Sequence, residues 1–290
     1  KMIISQNTAC AGNRIKSWVS AMRLAEVVQD YDVRVYWPTW LECLPIPGTE
    51  RLPEDGYANF SDLFKNDVFL DWRPTEEKGY VHLPFGVGEN WYFDNLYSYG
   101  RAKFLVFPED KLDEGFIKNP FSRYQLIDHQ YGRIPENIVD NYMRQFKRIE
   151  FDDSITERVD KFPEFPENTV SVQIRTWCNS KARYPFFDIN MFIEAMDSYA
   201  SNCSFFLCSD SQPVIEELKE KYGDRIITFD NKVPIDCDSK DALRDAMAEM
   251  LLLGKNNEMI LTEESTFSEI AWWFGGAKAT VTKVGSKICR

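Results

Sequence analysis

The sequence predicts an α/β protein of two doubly wound domains, on three observations. From about residue 166 onward, short apolar runs alternate strictly with amphipathic helical stretches, with short connections between them. Alternation of this kind builds a parallel sheet covered by helices. Residues 1–40 open the same way, as strand, loop, helix and strand. The length of 290 residues suits two domains of ordinary size.

Residues 2–5 form a short apolar strand, and residues 7–13 a loop of small residues. Residues 14–29 read as a helix, because Ile15, Trp18, Val19, Met22, Ala25 and Val28 recur at helical spacing. Residues 33–37 alternate as a half-buried strand that stops at Pro38. Between residues 40 and 165 prolines and aromatics break the pattern, although 104–107 reads as a strand and 135–149 as a helix. This expectation assigns residues 1–165 to an N-terminal α/β domain with irregular insertions, ending in a linker-like stretch at 162–167.

The remainder, 166–290, is expected to be a Rossmann-like domain. Strands are read at 169–174, 204–208, 226–229, 258–262 and 279–281, and helices at 190–200, 212–222, 240–253 and 266–274. Pro213 suits a first helical turn.

Composition removes several classes of function. Lys and Arg total 34 against 46 Asp and Glu, a net charge of -12, which repels nucleic-acid backbones. No apolar run approaches the roughly 20 residues that cross a bilayer. The cysteines at 10, 43, 178, 203, 208, 237 and 289 are scattered and form no C-x-x-C pair. That spacing argues against a zinc site or a disulfide framework and fits a reducing, cytoplasmic setting. No secretory leader is read at the start, where Met2 follows Lys1. Only His82 and His129 could act as imidazole bases, so histidine-centred catalysis is not expected.

Doubly wound sheets bind ligands beyond the carboxyl ends of their strands, so the loops at those ends carry the candidates. Arg175 ends the strand at 169–174 and could grip diphosphate oxygens with its fork of donors. Asp210 ends the next strand and could accept from a ribose or a base. Ser265 and Thr266 open a helix, where hydroxyls and N–H groups together form a diphosphate seat, or an ordinary N-cap. Gly12, Asn13 and Arg14 lie at the strand-to-helix junction of the first domain. Asp236-Cys237-Asp238 spells the D-x-D of metal-dependent transferases, but it follows Val233-Pro234-Ile235 in a loop and reads as helix capping.

Four stretches together resemble the GDP-fucose-dependent fucosyltransferase superfamily, which includes nodulation-factor, core α1,6 and protein O-fucosyltransferases. Residues 11–21 resemble its G-x-G-N opening and first helix. Val172-Gln173-Ile174-Arg175 resembles its H-x-R strand end, and Phe206-Leu207-Cys208-Ser209-Asp210 its nucleotide-contacting strand end. Residues 241–254, followed by Ser265-Thr266-Phe267-Ser268, resemble its S-T-F-S donor loop.

The resemblance implies a GT-B fold of two Rossmann-like domains facing across a cleft, with the donor on the C-terminal domain and the acceptor on the N-terminal one. It implies that Arg175 binds the β-phosphate and that Ser265 and Thr266 hold the diphosphate. Phe267 would then pack near guanine, Asp210 and Glu249 would lie near ribose or base, and Asn13 would approach the reacting centre. Gly12, Arg14 and Gln173 complete the expected donor contacts. No metal or other cofactor is implied; the partners are GDP-fucose and a glycan or other hydroxyl acceptor.

The chain departs from the family pattern at three positions. Gln173 replaces the usual histidine, Glu249 a more usual aspartate, and Thr176 a second arginine. A GT-B enzyme using another nucleotide sugar, or a non-catalytic nucleotide-sugar or carbohydrate-binding protein, would also suit these departures. The general base has no clear candidate among Glu42, Glu89 and Asp128.

Overall fold

The computed structural model describes residues 2–7, 11–28, 32–37, 58–71, 81–82, 102–107, 131, 136–177, 185, 187–230, 239–263 and 265–285. The described residues up to Asp152, Tyr131 apart, form one compact unit, and Tyr131 with those from Asp153 onward form another.

The first unit contains β1 (Met2–Asn7), α1 (Ala11–Val28), β2 (Asp32–Tyr36), β3 (Val81–His82), β4 (Ala102–Phe107) and α2 (Glu136–Phe146). Its sheet runs β2-β1-β4-β3. β1 and β2 are parallel across the α1 crossover, whereas β4 is antiparallel to β1 and to β3. Such mixed pairing is common in doubly wound sheets.

Helix α1 starts at Ala11, earlier than the sequence suggests, so the last residues of the expected small-residue loop are its first turn. Of the apolar positions that predicted it, Ile15, Trp18, Val19 and Met22 are all within 4% of full burial, and Ala25 is half-buried. Trp18 and Trp37 stand edge-on to Phe60 and Phe64, with ring centroids 5.3–6.0 Å apart. This geometry suits the aromatic quadrupole. Glu26 ties α1 to α2 by accepting from Arg144 at 2.8 Å and from Gln145.

The second unit contains α3 (Asp153–Asp160), β5 (Thr169–Ile174), α4 (Ile189–Asp197), β6 (Ser204–Ser209), α5 (Gln212–Tyr222), β7 (Ile226–Ile227), α6 (Lys240–Leu253), β8 (Glu258–Thr262), α7 (Thr266–Phe274) and β9 (Thr280–Val284). All its strand pairings are parallel, in the order β7-β6-β5-β8-β9. From central β5 the chain winds outward through β6 to β7, then crosses back to β8 and β9. The topological switch point therefore lies between the carboxyl ends of β5 and β8.

Central β5 is buried along its whole length, as a strand covered on both faces must be. β9 is longer than the sequence reading and mostly solvent-facing, as the edge of the sheet allows. Helix α3 has no counterpart in the sequence reading; only Ile155 and Val159 of its eight residues are buried. Its Arg158 reaches Asp245 of α6 at 2.9 Å. The proline-rich stretch after it packs inward, with Phe162 and Phe165 on Phe206 at 5.5 and 4.9 Å. Among the described residues no helix is long and apolar enough to cross a membrane.

Candidate functional site

The switch point is built from three chain segments, and short polar bonds lock them together. β5 stops hydrogen bonding to β8 after Gln173, and the side chain of Thr262 takes over from the backbone ladder. Its hydroxyl donates to the Gln173 carbonyl at 2.9 Å and accepts from the Arg175 N–H at 2.8 Å. One buried threonine thus fixes the backbone on both sides of Ile174.

Arg175 leaves this strand end partly exposed and meets Asp210 at the carboxyl end of β6, Nη1 to Oδ2 at 2.8 Å. The other oxygen of Asp210 accepts from the Thr176 N–H at 2.7 Å and from the Thr176 hydroxyl at 3.0 Å. Thr176 itself is fully buried. A buried carboxylate supplied with charged and neutral donors is well compensated, and it orients the arginine by one end of its fork.

The third segment is the start of α7. Ser265 occupies the N-cap position with extended backbone, yet its side chain makes no capping bond to the helix. The nearby Ser268 hydroxyl donates instead to Gln173 Oε1 at 2.5 Å, pinning the first turn of α7 to β5. Gln173 is buried and so acts as a tie between strand and helix. The partial positive charge and N–H groups of a helix start therefore face the same strand ends as Arg175.

Among solved structures the chain is similar to the α-1,6-fucosyltransferase NodZ co-crystallised with GDP, at 15% identity and TM-score 0.51, covering 90% of this chain and 88% of that one. It is likewise similar to the fucosyltransferase NodZ from Bradyrhizobium, at 16% identity, TM-score 0.51 and the same coverage. A variant of Arabidopsis thaliana FUT1 in complex with GDP matches at 13% identity and TM-score 0.51, over 95% of this chain and 68% of that one. The chain has the GT-B fold of these enzymes. No protein-family model and no curated protein matches it.

Within the GT-B fold the second unit gathers most of the expected residues. Gln173, Arg175, Asp210, Ser265, Thr266 and Phe267 lie on the segments that meet at the switch point. Glu249 is buried on α6, which packs against α7. Gly12, Asn13 and Arg14 belong to the first unit, in the first turn of α1. Arg14 is buried there, its guanidinium 4.9 Å above the Trp37 ring.

Thr176, Thr262 and Ser268 lie in the strand-end loops that the sequence marks as candidates, but no signal in the sequence gives any of them a role as a site residue. A threonine or serine at a strand or helix end is ordinary chemistry for those positions, and only strand adjacency gives it meaning. Asp236 and Asp238 lie outside the described residues, as do His129, Glu42, Glu89 and Asp128. Among the described residues no group of three or more His, Cys, Asp or Glu side chains could hold a metal ion.

Proposed function

We propose that this protein is an inverting glycosyltransferase that takes a sugar from a nucleoside diphosphate, with GDP-fucose as donor and a hydroxyl of a glycan or similar molecule as acceptor. The observation that carries the reading is Arg175, a partly exposed guanidinium fixed at the switch point by buried Asp210 beside the start of α7.

As the bond to the anomeric carbon breaks, negative charge grows on the β-phosphate. Arg175 and the first-turn N–H groups of α7 stabilise that charge more in the transition state than in the bound donor. Their field is preorganised, because Asp210, Thr262 and Ser268 hold the segments before any ligand arrives. A positive field of this kind performs the task that a divalent cation performs in metal-dependent transferases, so turnover is expected in excess EDTA.

The deciding experiment incubates the protein with GDP-fucose, with and without glycan acceptors, and follows GDP release and fucose transfer. Transfer, or slow donor hydrolysis, supports an enzyme. Binding of GDP with neither reaction supports a nucleotide-binding protein instead. A thermal shift with UDP-sugars but none with GDP removes fucose and guanine from the proposal.

A further inference from the structure

We propose that Trp177 is a donor-binding residue whose indole lies against an apolar ring face of the nucleotide sugar; this inference rests on the nucleotide-diphosphate reading above. The backbone of this residue is an outlier. Trp177 has φ 51°, in the left-handed region, where a bulky side chain is strained.

The other non-glycine residue with positive φ among the described residues is Ala277. Ala277 has a local explanation. It closes the C-terminus of α7 beside Gly276, its N–H donating to Trp272 O at 3.0 Å in the manner of a helix-terminating turn. Trp177 ends no helix: it follows a strand, two residues beyond Arg175.

Strained residues persist where their surroundings over-determine them, and they gather at ligand sites. The surroundings here are visible. Thr176 is fully buried and bonded through both N–H and hydroxyl to Asp210, while the Arg175 N–H is bonded to Thr262. The chain therefore enters Trp177 along a fixed path. Glycine would adopt this conformation without steric cost, yet the position carries the largest side chain in the repertoire, and the residue is only partly buried.

An indole carried on this backbone, at the rim of the proposed diphosphate site, suits a flat partner. The donor offers two such faces, the π-face of its base and the C–H face of its pyranose. Stacking of a base on an aromatic side chain changes affinity by about tenfold to a hundredfold.

Calorimetric titration of the full chain with GDP and with GDP-fucose tests this, using the parent protein, Trp177→Phe, Trp177→Leu and Trp177→Gly. The phenylalanine variant is expected to bind within about threefold of the parent. The leucine and glycine variants are expected to lose about tenfold or more. An equal loss for GDP and GDP-fucose assigns the base, and a loss confined to GDP-fucose assigns the sugar. The leucine variant keeps apolar bulk without a flat ring, so it decides the matter if glycine prevents folding. Folded leucine or glycine variants that bind both ligands within twofold of the parent overturn the proposal, as does a phenylalanine variant that loses as much as leucine. A parent that binds neither nucleotide removes the donor reading itself, which is a separate and recognisable failure.

Discussion

The guanidinium of Arg175 and the carboxylate of Asp210 form an unequal pair: the arginine side chain is 34% exposed and the aspartate 6%. Among the described residues only Nη1 of the guanidinium is engaged, so Asp210 holds the fork by one end and presents the rest outward. An ordinary surface ion pair contributes little and leaves both partners mobile. Here the buried acid is itself clamped by Thr176, so the cation is placed before a ligand arrives.

Removing that cation should damage turnover far more than folding. Arg175→Ala is expected to lower the transfer rate by about a hundred- to a thousandfold, the effect of deleting one preorganised donor to a developing oxyanion. Arg175→Lys should recover only part of this, because lysine keeps the charge and loses the planar fork. Steady-state kinetics together with melting temperature check it. An alanine variant that folds normally and transfers at the parent rate moves the donor site elsewhere.

Asp210→Asn separates charge from shape. The amide oxygen can still accept from Thr176, but an NH₂ group turned towards Arg175 repels it and frees the guanidinium. Loss of a buried charged acceptor should cost about 1–3 kcal/mol of stability. Affinity for GDP should fall as well, because the arginine is no longer preplaced. Denaturant unfolding and calorimetry read the two effects independently, and a variant with parent affinity for GDP would make Asp210 purely structural.

The second unit was the more legible half of the chain. Helices α6 and α7 run between the residues the sequence suggests because their ends are chemically marked. Ser239 accepts from the Ala242 N–H at 3.2 Å, and glycines follow both C-termini. Arg175 was legible too, as a charge ending an apolar strand. The direction of β4 was not, since pairing between strands so far apart in sequence leaves no local trace. The conformation of Trp177 was hidden for the opposite reason. A left-handed residue ordinarily advertises itself as glycine, and here tertiary bonds impose it on tryptophan. The same holds for Thr262, whose bridging role depends on β8 lying beside β5.

Tyr199 links the fold to alkaline pH. Burial first, then a hydrogen bond to Glu258, raises its phenol from the ordinary 10 to about 12. A group whose folded pKa is raised stabilises the fold fully below its unfolded value, and that contribution is lost as pH rises through the folded one. Stability should therefore decline between about pH 10 and pH 12. The decline should be shallower in Tyr199→Phe. Tyr222, also raised by burial and by donating to Asp197 at 2.7 Å, acts in the same direction. Denaturation midpoints across this range measure it, and identical slopes for parent and variant would leave Tyr199 without a share.

Two glycines set the distance between α6 and α7, and they should be sensitive for reasons of space alone. Gly254 and Gly275 both have φ of -73°, which any residue adopts. A Cβ on Gly254 would lie 2.6 Å from the Ala271 carbonyl oxygen and 2.9 Å from the Gly275 nitrogen. A Cβ on Gly275 would in turn press on the Gly254 carbonyl. These neighbours are backbone atoms and cannot rotate aside, so relief requires the helices to separate. Gly275→Ala should destabilise by about 1–3 kcal/mol, as overpacking does. Because α7 carries Ser265 and Thr266 at its other end, the shift should also weaken GDP binding. Gly223→Ala is the control. It meets nothing within 4 Å but has φ 58° and ψ -133°, a backbone region that suits glycine alone, so it should lose about 1–3 kcal/mol through backbone strain and leave GDP affinity unchanged. If both variants lose stability and neither loses affinity, the register of α7 against α6 does not reach the donor site.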